Sequence, residues 1–174
     1  MIETTIDVSR QRAARSALKS GLDRLDRRMG YWGPIDRVPA DQIEAAARAF
    51  QEVKLGKGKA KVDHEYIAVV ERVARRYATV LVGAERYPVL LKEHRWMRTA
   101  RRHALSKRDY PTDMAKVLNP GDVLRVILRE EKGKVVARII QDPIVEGALV
   151  SQDIETDYVV AMVGGYDFDR SQFN

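Results

Sequence analysis

A chain of 174 residues has room for one ordinary core, or for one complete domain and part of another. Hydrophobic residues at 45% and charged residues at 32% describe a globular composition, and the lack of cysteine excludes disulfides and thiol chemistry. A net charge of +6 admits anionic partners such as nucleic acid, acidic lipid or another polyanion, while no apolar run reaches bilayer-spanning length and no signal peptide opens the chain.

The run Met1–Asp7 is β-prone through Ile2, Thr4, Thr5 and Ile6. Asp7 is placed to cap a helix predicted over about Val8–Met29. Ala14, Ala17, Leu18, Leu22, Leu25 and Met29 recur at steps of three and four and make its apolar face, and Gly30 closes it. Two catalytic-looking motifs sit on this helix. Ser16-Ala17-Leu18-Lys19 has the S-x-x-K spacing of a serine nucleophile and its lysine, and Lys19-Ser20-Gly21 reads as K-S-G. Both claim Lys19, yet those roles need two lysines on different elements. No S-x-N triplet occurs in the chain, so no catalytic residue is assigned.

A second helix is predicted within Asp36–Lys54, with Pro39 near its start and a stripe of Ile43, Ala46, Ala47, Phe50 and Val53. Leu55–Lys61 is a glycine- and lysine-rich loop. Gly58-Lys59-Ala60 lacks the hydroxyl and the spacing of a phosphate-binding loop.

From Glu65 onward the pattern changes to short strands, predicted over Tyr66–Val73, Tyr77–Val82, Tyr87–Leu91, Asp122–Leu128 and Val135–Gln141. Asn119-Pro120-Gly121-Asp122 introduces the fourth strand, and Glu131-Lys132-Gly133-Lys134 is the turn before the fifth. A helix is predicted over Trp96–Ser106, inside the basic run His94–Arg108. Arg95, Arg98, Arg101 and Arg102 then share one positive, solvent-facing side, which is either plain solvated surface or a docking face for an acidic domain or anionic polymer. His64, His94 and His103 lack metal-ligand spacing and read as exposed imidazoles, and no cofactor is expected. Five strands with a helix between the third and fourth is the layout of an OB-like barrel. The fold class is therefore mainly β with α (α+β).

The chain ends in two apolar runs, Gly147–Ser151 and Tyr158–Val163, joined by the turn-rich Asp153–Asp157. This is a hairpin expected to be buried on both faces, and Gly164-Gly165 lets the backbone turn sharply after it.

These terminal residues carry a resemblance. GALVSQDIETDYVVAMVGGYDFDRSQFN resembles the first transpeptidase hairpin of class A (bifunctional) penicillin-binding proteins, whose pattern is roughly GALVxxDxxTGxVxAMVGGxDFxxSxFN. It departs at Asp157, where the family has glycine; Asp tolerates the left-handed conformation better than most residues. The TTID run, the face of Gln11, Ala14, Ala17 and Leu18, and Gly30-Tyr31-Trp32-Gly33-Pro34 are similar to the family's first transpeptidase strand, helix and GYxGP segment. AVVERV, Trp96-Met97-Arg98 and NPGDVLRVIL look like segments of the OB-like domain inserted in the 1A type.

The resemblance implies three parts. Residues 1–61 would be N-terminal transpeptidase elements and linker, 62–142 a five-stranded OB-like barrel, and 143–174 the first transpeptidase hairpin of an incomplete transpeptidase subdomain. The parent would be a membrane-anchored synthase on the periplasmic side of the bacterial inner membrane, polymerising glycan and cross-linking peptides. This stretch would be a non-catalytic accessory region, with the glycosyltransferase before Met1 and the catalytic serine after Asn174. Implied partners are the rest of the parent and an outer-membrane lipoprotein activator. A chain with these ends is expected to dimerise through the terminal hairpin.

The alternative is a free-standing OB-fold nucleic-acid binder. It would use Arg75, Arg76, Arg86 and Lys92 for charge and Tyr77 and Tyr87 for stacking. Aromatics make up only 7% of the chain and aliphatics dominate those strands, so no nucleic-acid partner is assigned.

Overall fold

The computed structural model describes residues 4–55, 58–98 and 110–166. The chain divides into two compact units, one of residues 1–28 and 142–174 and the other of residues 29–141. The fold is mainly β, with two α-helices among the described residues.

In the larger unit the strands are β1 (Asp36–Arg37), β2 (Glu65–Ala74), β3 (Tyr77–Val82), β4 (Glu85–Leu90), β5 (Asp122–Glu131) and β6 (Lys134–Ile140). All pairings are antiparallel, in the order β1-β5-β2-β3-β4, with β6 also on β5. The ten-residue β2 serves two partners: Glu65–Val69 pair with β5, and Val69–Ala74 pair with β3. A register shift between Val70 and Arg72 marks a bulge there, which bends and twists a strand locally.

Alternation along these strands puts Tyr66, Ala68, Val70, Ala78, Val80, Val82, Val89, Leu124, Val126, Leu128, Ala137 and Ile139 into one core. The opposite side of the sheet is covered too. Helix α2 (Ile43–Leu55) lays Ile43 and Ala47 on Val69, Leu81 and Val123. Coverage on both sides accounts for the unbroken apolar runs in β2 and β3. Of the expected stripe, Ala46 and Phe50 are half-buried, but Val53 is 92% exposed and lies off the packed face.

Gly121, at the entry to β5, has φ +89, and a Cβ there would stand 2.2 Å from the Val38 carbonyl oxygen. Its N–H donates to Val70 O and its carbonyl accepts from Val38 N. Only glycine fits so close a backbone approach at that φ.

The barrel expected from the sequence is not closed by hydrogen bonding. β4 lies against β6, yet no ladder joins them among the described residues. Side chains bridge the gap instead. His94, just past β4, holds its Nδ1 2.8 Å from Leu90 O, and its Nε2 accepts from Ile139 N on β6 at 2.9 Å. Beside it, Glu93 accepts from Arg138 of β6 at 2.7 Å. His94 is thus a buried bridging group, 1% exposed, rather than the exposed imidazole expected.

In the smaller unit, α1 (Val8–Met29) begins where Asp7 Oδ1 accepts from Arg10 N at 2.8 Å. Ala14 and Leu22 are buried and Leu18 is half-buried, while Ala17 and Leu25 of the expected face are exposed. The hairpin strands are β7 (Ala148–Gln152) and β8 (Val159–Gly164). Their turn is an Asx-type turn: Asp153 Oδ1 accepts from Glu155 N, Thr156 N and Thr156 Oγ1, each at 3.1 Å. Those donors hold the Asp153 carboxyl below its usual range. Asp157 takes φ +59, the left-handed conformation expected of it.

The hairpin is not buried on both faces. β7 alternates, with Ala148, Val150 and Gln152 exposed, and Met162 of β8, which pairs with Val150, is exposed as well. A two-stranded sheet with a single helix has cover for one face only. Nor do the described residues 4–7 form a regular strand. One backbone bond, Asp7 N to Val160 O at 2.9 Å, ties them to β8. Further along the same edge, the Gln11 amide acts as a surrogate peptide, donating to Met162 O at 2.7 Å and accepting from Met162 N at 2.9 Å.

Candidate docking site

Of the four arginines assigned to a docking face, the structure describes two. Residues 94–98 are not helical. They form tight turns in which His94 N bonds to Leu91 O and Met97 N to His94 O, which brings His94 and Met97 inward. Arg98 consequently does not face solvent. It is 8% exposed, its carbonyl accepts from Tyr31 N, and its guanidinium lies 5.0 Å from the Tyr110 ring centre. Arg95 is exposed and lies 5.2 Å from the same ring. Arg101 and Arg102 lie outside the described residues.

Arg95 keeps other company than expected. It lines a solvent-open cleft of about 670 Å³ together with Arg76 and Lys92, over a floor that includes Leu90, Leu91 and Pro111. Backbone bonds hold its walls. Leu91 N donates to Arg76 O at 2.9 Å, and Met114 N donates to Arg75 O at 3.0 Å, pinning the β2–β3 turn between the segment after β4 and the 3-10 turn Met114–Lys116.

The cleft is cationic through its own lining residues, whereas several arginines elsewhere on the sheet are paired with acids. Arg86 meets Glu71 at 2.6 Å, Arg125 meets Glu65 at 2.7 Å, Arg138 meets Glu93 and Glu131, and Arg129 meets Asp63. Hydrogen bonds from Arg86 and Arg138 hold the Glu71 and Glu93 carboxyls below the usual range. Within the cleft, Arg76 has no ion pair among the described residues, and Lys92 has only Glu93 at 3.7 Å, a carboxylate already engaged by Arg138. Among the described residues no acidic side chain lines the cleft.

The same geometry bears on nucleic-acid stacking. Tyr87 is in the core, and burial together with its bond to Glu85 pushes its hydroxyl pKa up. Arg86 is committed to Glu71. Tyr77 alone of the two candidate platforms is exposed, at 39%. Arg76 and Lys92, which belonged to that alternative, turn out to be neighbours of Arg95; strand spacing gives no sign that the two loops converge. Tyr31 is buried, which raises its hydroxyl pKa, with the Asp122 carboxylate adding to the effect. The motif residues Ser16 and Lys19 are exposed on α1, with the Lys19 ammonium 4.8 Å from the Tyr166 ring centre.

An open antiparallel sheet with a helix packed on its outer side has the layout of an OB-like domain. Residues 31–145 match the family described as the penicillin-binding protein OB-like domain, and the chain belongs to that family. It is similar over nearly its whole length to proteins named penicillin-binding protein 1A. Identity is 30% over 174 residues with that of Rickettsia felis and 32% over 179 residues with that of Neisseria lactamica, covering 99% of this chain and 20% of each relative. The chain thus spans a fifth of the length of the curated relatives it matches. The crystal structure of penicillin-binding protein 1A from Haemophilus influenzae shares its fold, with a TM-score of 0.55 at 23% identity, over 98% of this chain and 23% of that one. The chain is a stretch of the 1A type that contains the OB-like domain.

Proposed function

We propose that this chain is the non-catalytic accessory and interaction region of a bifunctional peptidoglycan synthase. The observation that carries the reading is the match of residues 31–145 to the penicillin-binding protein OB-like domain, in a chain otherwise similar to 1A-type proteins. In this reading the larger unit is a partly open five-stranded OB barrel. The smaller unit supplies the N-terminal segment, first helix and hairpin of a transpeptidase domain. The parent is a membrane-anchored enzyme on the periplasmic side of the inner membrane. Among the described residues no helix is long and apolar enough to cross a membrane. The partners are the other parts of the parent and an outer-membrane lipoprotein activator of the synthase, and a second copy is met through the terminal hairpin.

The S-x-x-K spacing at Ser16 and Lys19 lends itself to a direct test. A serine nucleophile needs its lysine beside it and a hole for the oxyanion, in a site that excludes water. Here the serine is exposed and the lysine lies against Tyr166. Purified chain incubated with a fluorescent penicillin should show no covalent label. Labelling that disappears in Ser16→Ala would overturn the non-catalytic reading.

A further inference from the structure

We propose that the cleft of Arg76, Lys92 and Arg95 is a docking site for an acidic peptide segment of a partner protein, one that carries carboxylates flanking an apolar side chain. The proposal deepens the accessory-region reading and rests on it. Charge argues for an anionic occupant. Three cations from two separate loops converge on one cleft, no carboxylate lines it among the described residues, and Arg86, Arg125 and Arg138 of the same sheet are paired with their own acids. Convergent charge over low-dielectric walls concentrates field and favours an opposite charge. The floor argues for peptide over polysaccharide: Leu90, Leu91 and Pro111 offer apolar contact, which a glycan polyanion has no aliphatic side chain to use. Its volume, about 670 Å³, falls in the range that holds a few side chains. The site is also preorganised. The bonds from Leu91 N to Arg76 O and from Met114 N to Arg75 O fix the two loops, and the Tyr110 ring lies 5.2 Å from the Arg95 guanidinium, so little ordering is left for the moment of binding. Two arginines supply planar forks that engage carboxylates bidentately, and Lys92 adds a mobile point charge.

The test is fluorescence anisotropy on the full chain with a labelled peptide of about ten residues that alternates glutamate with leucine. Two comparison probes are a glutamine–leucine peptide and a glutamate homopolymer. The expected result is saturable binding of the Glu–Leu peptide that weakens with salt, with both comparison probes binding at least about tenfold more weakly. The double variant Arg76→Glu/Lys92→Glu should lose about tenfold or more, while Lys134→Glu, exposed at the start of β6, should change binding less than about twofold. A photo-reactive leucine analogue in the peptide should cross-link to residues 90–95 or 111–112 of the unmutated chain, an arm that does not depend on a variant folding. The proposal is overturned by absent binding, by a comparison probe that binds as well as the Glu–Leu peptide, by equal losses in Lys134→Glu, or by cross-links elsewhere. If the peptide fails to bind and penicillin fails to label, only the cleft assignment falls. Labelling by penicillin would remove the accessory-region reading whatever the peptide does.

Discussion

His94 does with one side chain what a backbone ladder does between the other neighbouring strands. Its Nε2 accepts from Ile139 N, so that nitrogen carries no proton, and Nδ1 is the donor to Leu90 O. The Ile139 N–H is in a buried setting where a lost partner is not replaced by water, and the Leu90 carbonyl is part-buried. Truncation therefore leaves a donor and an acceptor unmet and a ring-sized void besides. We expect His94→Ala to lower unfolding free energy by about 3 kcal/mol, measured by urea denaturation, with faster amide exchange at Ile139 than at β5 positions remote from it. A variant as stable as the parent, with Ile139 exchange unchanged, would show that β4 and β6 stay together without the ring. Nothing in the sequence marks this residue. A lone histidine in a basic run looks like any exposed one, because its role depends on a strand 45 positions away. Arg98 was hidden for the same reason: spacing predicts a helix face, but inward-turning Met97 and the Tyr110 ring decide where the guanidinium goes.

At the scale of elements, strands and turns were far more legible than the packing between them. The ends of α1 follow from Asp7 and Gly30, and five of the six sheet strands from their alternation and their glycine turns, because those signals are local. That α2 would lie on the outside of the sheet, and that the Arg76 and Arg95 loops would form one cleft, are long-range outcomes with no local signature. The ion pairs across the sheet surface are a further long-range product, and they set a pH response. Glu71 and Glu93 have carboxyl pKa values lowered from 4.5, first by hydrogen bonds from Arg86 and Arg138. A folded-state pKa below the unfolded value means the stabilisation is fully present above about pH 4.5 and is lost as pH falls through the folded value. Their side chains are 27% and 31% exposed, so solvent screens each pair and the contribution of each is about 1 kcal/mol or less. Denaturation midpoints recorded from about pH 6 down to about pH 3 should fall, and the Glu71→Gln/Glu93→Gln variant should show a shallower fall. Parallel curves for the two proteins would assign the acid response to other carboxylates.

For the molecule as a whole, the unequal finish of its two units matters most. The larger unit has a core with cover on both sides of its sheet. The smaller one has a two-stranded sheet whose uncovered face shows Val150 at 61% and Met162 at 52% exposure, with Ile154 and Tyr158 exposed near the turn. Two strands alone are marginal in water, and α1 with the Gln11 clamp supports one face and one edge of them. The curated 1A-type relatives are about five times the length of this chain, so in them more chain is there to cover such a face. On its own, the chain has the simplest substitute in a second copy meeting the same patch about a two-fold axis. Clustered apolar surface of this kind favours association. The chain should therefore show a concentration-dependent rise in mass by light scattering. Val150→Lys/Met162→Lys should return it to monomer, because two cations on the patch would face two more across the axis. Arg76→Glu/Lys92→Glu should leave the mass unchanged, since the cleft belongs to the other unit. A chain that stays monomeric at millimolar concentration, or a dimer indifferent to the lysines, would show that this face needs no partner.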